Sequence, residues 1–202
     1  MFKEVNKSII PGCFEFIPDI KEDQRGMFVK IYNTDFYSSI LLNTSIKESY
    51  FTISHKNVIR GLHFQLPPYE VAKIVCCVEG EIMDVVVDLR EGSPTYGKYD
   101  IFYLSAEKSN ILYIPEGLAH GYCVLSEKAI VIYNVTNVYS KEHDTGIRWD
   151  SVGIPWPVDN PILSEKDKNL PEFKYFHTPF KYKGYVNINV ENLMDKIIGN
   201  KI

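Results

Sequence analysis

The chain has 202 residues, 45% hydrophobic and 24% charged, which excludes wholesale disorder and fits one large domain. Its formal net charge is -4, with 22 Lys and Arg against 26 Asp and Glu, so a nucleic-acid partner is not expected. No apolar run nears the roughly 20 residues of a membrane span, and no membrane partner is expected either.

Residues 1–16 show no apolar h-region, so the default expectation is no secretory signal and a cytoplasmic location. Residues 26–33 read as a strand, and Asn33-Thr34-Asp35 opens a short helix or turn over 34–41. From 50 to 138 strand follows strand: 50–55, 57–65, 71–79, 81–89, 98–104, 111–114, 121–125 and 129–138. Turn signals divide them, among them Pro67-Pro68, Glu79-Gly80-Glu81 and Pro115-Glu116-Gly117. Short strands at this spacing predict an all-β sandwich or barrel, and no alternating amphipathic helices support a parallel α/β fold. Residues 146–163, rich in Trp and Pro, should pack irregularly over the β core. Ser164 starts a short helix that ends near Pro171. The tail from 172 reads as peripheral, with a strand at 185–190 and a helix at 191–198. Cys13, Cys76, Cys77 and Cys123 form no CxxC pair, and adjacent strand residues point to opposite faces, so reduced core thiols are expected.

Few residues carry possible chemistry. His63 lies in Arg60-Gly-Leu-His63-Phe-Gln65, where strand parity groups Ile59, Gly61, His63 and Gln65 on one face. Lys73 sits on the next strand, and a lysine is almost never fully buried without a partner or a task. Tyr133 shares a face with Val131 and Val135, the usual setting of a core tyrosine. Ser164-x-x-Asp167 fits a capping box, which would use the Asp167 carboxylate on a backbone N–H. Arg25 could be a turn charge. Pro115-Glu-Gly117-Leu-Ala-His120 has the PxGxxH spacing and resembles the second motif of the cupin barrels. The resemblance implies a jelly roll in which that histidine is often a metal ligand. The matching first motif offers only His63-Phe-Gln65, and Gln is a poor ligand, so no metal is expected. No P-loop, GxGxxG or GxSxG element supports phosphoryl transfer, a Rossmann cofactor or serine hydrolysis.

Taken in order, the motifs form one series. It runs through Arg60-Gly-Leu-His63-Phe-Gln, Ala72-Lys73-Ile-Val, Asp84-Val-Val-Val-Asp88-Leu-Arg90, Ser93-Pro-Thr-Tyr-Gly97 and Ile114-Pro-Glu-Gly-Leu-Ala-His120-Gly. Tyr133, Gly146-Ile-Arg-Trp149, Ile154-Pro-Trp156-Pro and Leu163-Ser-Glu-Lys-Asp167 complete it. This series resembles the dTDP-4-dehydrorhamnose 3,5-epimerase family over about residues 10–170. The resemblance implies an all-β, cupin-type jelly-roll barrel with short peripheral helices, no metal and no cofactor. It implies a single domain over 1–180 with a C-terminal extension over 181–202, and a homodimer that exchanges N-terminal strands. The substrate would be a nucleotide-linked 4-keto-6-deoxysugar on the way to cell-surface polysaccharide, with C3, C5 or both inverted through a C4 enolate. By resemblance, His63 is the base, Asp167 orients it, Lys73 faces the enolate and Tyr133 is the acid. Likewise His120 lies near the sugar, and Arg25 and Arg60 meet the diphosphate.

Several positions depart from the family. Its RGFFxE becomes Arg25-Gly-Met-Phe-Val-Lys30, and its Gln-x-Asn becomes Glu48-Ser-Tyr50. Its thymine-stacking aromatic aligns with Val138, next to Tyr139, and Asn134 replaces a usual Lys. Lys30, Glu48 and Tyr50, with Gln65 on the His63 face, complete the candidate substrate contacts. Because the changes gather on the nucleotide and sugar-binding side, the carrier could be dTDP, CDP or GDP, and the sugar a hexose, a heptose or a branched deoxysugar. The rival readings are a 3,4-ketoisomerase on the same substrate class and a non-catalytic sugar-binding cupin. Arg60 and His63 differ by three positions, which places them on opposite faces unless Gly61 marks a bulge or Arg60 reaches round the rim.

Overall fold

The computed structural model describes residues 1–40, 42–43 and 45–184. Its strands are β1 (Phe2–Lys7), β2 (Phe14–Pro18), β3 (Lys21–Asp23), β4 (Gly26–Phe28), β5 (Glu48–His55), β6 (Ile59–Gln65) and β7 (Lys73–Glu79). They continue with β8 (Glu81–Asp88), β9 (Tyr99–Ser105), β10 (Ile111–Ile114), β11 (Leu118–Val124), β12 (Lys128–Val135) and β13 (Asp144–Gly146). Two short helices, α1 (Thr34–Ser39) and α2 (Glu165–Lys168), are peripheral.

A six-stranded sheet in the order β1-β2-β10-β7-β12-β5 faces a five-stranded sheet in the order β13-β6-β11-β8-β9. Every named pairing is antiparallel. This is an all-β barrel, as the strand spacing predicts, and the jelly roll that the family resemblance implies. Between the sheets lie Val75, Ile82, Val86, Leu112, Tyr122, Val131 and Tyr133. Behind the six-stranded sheet, Phe2, Phe14, Phe16 and the α1 residue Tyr37 cover Ile74 and Cys76. Cys77 belongs to the inner cluster, so the adjacent cysteines do face opposite ways, and all four cysteines are free and buried. Behind the five-stranded sheet, Ile147, Trp149, Ile154 and Trp156 pack on Ile59, Met83 and Val85. The Trp- and Pro-rich segment therefore covers the barrel as predicted.

Local chemistry sets the helix starts. The Asn33 side chain accepts a hydrogen bond from the Phe36 N–H at 2.9 Å, and the Ser164 hydroxyl accepts from the Asp167 N–H at 3.1 Å. Some sequence expectations need correction. The strand expected over 26–33 is only Gly26–Phe28, half of an exposed hairpin with β3. The strand expected from 57 starts at Ile59, because Asn57 takes a left-handed turn at φ 65°. Strands β1, β2, β3 and β13 have no counterpart among the expected strands. Within the chain, β1 and β2 extend the six-stranded sheet, with β2 paired to β10.

Beyond the 3₁₀ turn at Phe173–Tyr175 the chain stays packed. The Thr178 hydroxyl donates to the Leu89 carbonyl, the Glu91 N–H to the Phe180 carbonyl and the Tyr182 N–H to the Glu91 carbonyl. Phe176 and Phe180 lie against Phe64, with ring centroids at 5.0 and 5.7 Å. The strand at 185–190 and the helix at 191–198 expected from sequence lie outside the described residues. Among the described residues no helix is long and apolar enough to cross a membrane.

Candidate active site

A cavity of about 400 Å³ opens between the two sheets. One wall, from β6 and β11, presents Arg60, His63 and His120; the other, from β5, β7 and β12, presents Glu48, Tyr50, Lys73 and Tyr133. A rim pair, Asp144 and Lys166, closes on itself at 2.5 Å.

An irregularity in β6 decides what faces this cavity. His63 pairs with His120, but Arg60 pairs with Tyr122, so Gly61 and Leu62 together stand opposite Gly121. This is a β-bulge, and it returns Arg60 and His63 to the same wall. The parity grouping of Ile59 with His63 is therefore corrected: Ile59 and Leu62 join the outer cluster, while Arg60, His63 and Gln65 line the cavity. Close contact demands glycine on both strands. A Cβ on Gly61, at φ +129°, would lie 2.6 Å from the Gly121 Cα, and one on Gly121 would lie 2.6 Å from the Arg60 carbonyl oxygen.

His63 Nε2 lies 2.5 Å from Asp167 Oδ1. Burial pushes the Asp167 carboxyl up, but the His63 contact, the Gly61 N–H and the Ser164 hydroxyl outweigh it and hold the group below its ordinary value. An ionised carboxylate only accepts, so Nε2 donates, which in a neutral imidazole leaves the lone pair on Nδ1. The capping box thus divides its work. Ser164 caps the Asp167 N–H, and the Asp167 carboxylate serves His63.

A second pair lies deeper. His120 Nε2 is 2.9 Å from Asp84 Oδ2, and both residues are buried. Burial pulls the His120 imidazole below its ordinary 6.5 against the opposing attraction of Asp84, so the ring is neutral at pH 7. Lys73 is also buried, and its Nζ donates to the His63 carbonyl at 3.3 Å. Burial lowers this ammonium from 10.5 to about 8. The Tyr133 phenol is pushed well above 10, by burial first and then by Tyr122 and Tyr50. Its ring stacks on Tyr50 at 4.9 Å and meets the edge of His120 at 5.9 Å.

The other candidates divide. Arg60 lines the cavity and donates from Nε to the Ser54 hydroxyl at 2.9 Å. Glu48 lines it too, accepting from the Tyr139 N–H at 2.8 Å, and Tyr139 stands in the same lining, 60% exposed. Gln65 reaches the cavity with its amide already engaged. It donates to the Tyr69 and Val138 carbonyls and accepts from the Ser140 N–H, so it anchors the 138–140 turn. Arg25 and Lys30 are not brought in. Both are exposed, and Arg25 forks onto Asp23 at 2.6 Å within the β3–β4 hairpin. Sequence reasoning gave no site role to Asp84, Asp144 or Lys166. A carboxylate inside Ile82-Met83-Asp84-Val85, an otherwise apolar run, was the signal for the first. Among the described residues no three His, Cys, Asp or Glu side chains gather to hold a metal ion.

Residues 7–175 match the family described as dTDP-4-dehydrorhamnose 3,5-epimerase. The chain belongs to that family. An enzyme of this description from Shigella flexneri is 45% identical over 172 residues, spanning 84% of this chain and 95% of the relative. The crystal structure of a dTDP-4-dehydrorhamnose 3,5-epimerase from Elizabethkingia anophelis superposes with a TM-score of 0.80 at 40% identity, covering 86% of this chain and 98% of that one. A dTDP-6-deoxy-D-glucose-3,5-epimerase from Legionella pneumophila, in complex with dTDP-4-keto-L-rhamnose, gives 0.84 at 31% identity, covering 90% and 100%. The 3,5-epimerase family match thus ends at Tyr175, while the packed chain continues to Tyr182.

Proposed function

We propose that this chain inverts C3 and C5 of a dTDP-linked 4-keto-6-deoxyhexose, with residues 1–180 as one catalytic domain and 181–202 as an extension. The observation that supports the reading is that His63 on β6 and Tyr133 on β12 line opposite walls of the cavity. Inversion requires a proton to leave one face of a carbon and another to arrive at the opposite face.

The C4 ketone acidifies the hydrogens on C3 and C5. His63 Nδ1 takes one, and the Asp167 carboxylate stabilises the imidazolium that forms. Charge then moves to the C4 oxygen, where the Lys73 ammonium stabilises the enolate; loss of one such donor typically costs about 3–4 kcal/mol. Tyr133 delivers its proton from the other wall, and its raised phenol keeps that proton available at neutral pH. Proton exchange with water restores both side chains before the second carbon reacts. Neutral His120, with Nε2 engaged by Asp84, accepts through Nδ1 beside the sugar, Arg60 suits the diphosphate, and the exposed Tyr139 ring suits the base.

Arg25 and Lys30 enter this scheme only through a second copy. Met27 and Phe28 on the hairpin, and Phe51 and Ile53 on β5, are each more than half exposed, an apolar surface that a homodimer would cover. In this reading the exchanged element is the β3–β4 hairpin. Four free cysteines suit the reducing cytoplasm.

The test is incubation in D₂O with the 4-keto-6-deoxyhexose carried on dTDP, CDP and GDP in parallel, followed by NMR. Deuterium is expected at both C3 and C5, fastest from dTDP. Uptake at a single carbon, or faster turnover on CDP or GDP, would overturn the corresponding part, and no uptake from any carrier would overturn the whole.

A further inference from the structure

A buried tyrosine hydroxyl usually has a hydrogen-bond partner. Tyr122 follows that rule, with Thr52 at 2.9 Å and Ser54 at 3.0 Å. Tyr133 does not. It is 6% exposed, and among the described residues no protein group hydrogen-bonds its hydroxyl. The phenol is thus free for a substrate, and something other than a hydrogen bond must fix where it points.

The neighbours on β12 show what does. On one side Tyr133 pairs with Val75 of β7, which has no ring. On the other it pairs directly with Tyr50 of β5, and the two rings lie 13° from parallel with centroids 4.9 Å apart. His120 meets the Tyr133 ring edge-on, at 66°. Among the described residues β5 is the edge strand, with no further strand beyond Tyr50. Tyr50 keeps its own proton, because burial, then Glu48 and Asp144, raise its phenol to about 12.

We infer that Tyr50 is a positioning residue for the reaction: its ring, rather than its hydroxyl, holds the Tyr133 phenol in the orientation that delivers a proton to the substrate carbanion. This rests on Tyr133 being the acid of the proposed epimerisation. Fixing a reacting group in its productive orientation is a large part of enzymatic rate, and the acid here is fixed through its ring face.

Two variants separate ring from hydroxyl. Tyr50→Leu removes the ring and keeps apolar bulk, and kcat should fall about tenfold while KM moves less than about threefold. Tyr50→Phe restores the ring alone and should recover most of that loss. A hydroxyl contact to substrate predicts the reverse, with Phe as damaging as Leu and KM rising, and would overturn the inference. So would a Leu variant that loses thermal stability but keeps kcat. A second readout needs no turnover. NMR of ¹³C-tyrosine protein, with Tyr133→Phe for assignment, should show a slowly flipping Tyr133 ring in the wild type and in Tyr50→Phe. In Tyr50→Leu the ring should flip fast and its signals average; an unchanged ring there would overturn the positioning role. If instead the Tyr133→Phe protein keeps full turnover, it is the acid assignment that fails, and the ring measurement still decides Tyr50.

Discussion

Two histidine–carboxylate pairs lie side by side on adjacent strands, and they have opposite surroundings. His63 is 31% exposed over a buried Asp167, whereas His120 and Asp84 are sealed at 3% and 0%. The contact chemistry is the same, imidazole Nε2 to carboxylate, so access alone separates them. An imidazole that must take a proton from substrate, become charged and return the proton to water needs that access. His120, buried and pulled below its ordinary value, pays heavily for a charge and suits a neutral hydrogen-bonding role. A like pair of residues can therefore supply either the base or a fixed polar wall, depending on solvent.

The largest expected effect would break the comparison if it failed. His63→Asn should lower kcat/KM by about 10²–10⁴-fold and abolish deuterium uptake with little change in melting temperature. Retained uptake would make His120 the base. Next, the alkaline side of the pH profile should follow Lys73. Its value of about 8 lies below 10.5, so the charge is present below about pH 8 and lost above it. kcat/KM should fall as pH rises through about 8. Between about 8 and 10.5 the unfolded chain holds the extra proton, so Lys73's contribution to stability rises with pH. Activity should therefore fall without unfolding, and a melting temperature that fell in step with activity would show that another group controls the limb. The smallest effect sharpens the contrast in stability. Asp84→Ala leaves His120 buried without its partner and should cost about 2 kcal/mol, measured by denaturant unfolding. Asp167→Ala, with His63 able to reach water, should cost less. The opposite order would remove the distinction between a sealed and an open pair.

The barrel and the proposed catalytic residues were legible because the signals for both are local in sequence. Alternation and turn residues mark β5 to β12, and His63, Lys73, Tyr133 and Asp167 each sit in a short motif. What stayed hidden depends on pairing between distant segments. Phe14 and Phe16 alternate as a strand should, but only the long-range register with β10 gives them a place in the sheet. The bulge at Gly61 is invisible to a period-two reading, although the conflict between Arg60 and His63 pointed to it. Gln65 shares the cavity wall as expected, yet its amide is committed to the 138–140 turn, a contact 75 residues away that no spacing reveals. Arg25 and Lys30 lie in a motif the sequence shows plainly, while their place near a substrate depends on a second chain.

The glycine pair at Gly61 and Gly121 has a consequence for how this site can vary. Each glycine leaves room for the other strand's backbone, and neither position can gain a side chain while its neighbour stays where it is. The residue two after Gly61 is His63, and the one before Gly121 is His120. The two histidines are thus referred to a single backbone joint, like two tools mounted on one hinge pin. The joint resists drift of one strand against the other, so a shift of this part of the sheet carries both imidazoles together and their spacing is better protected than the position of either.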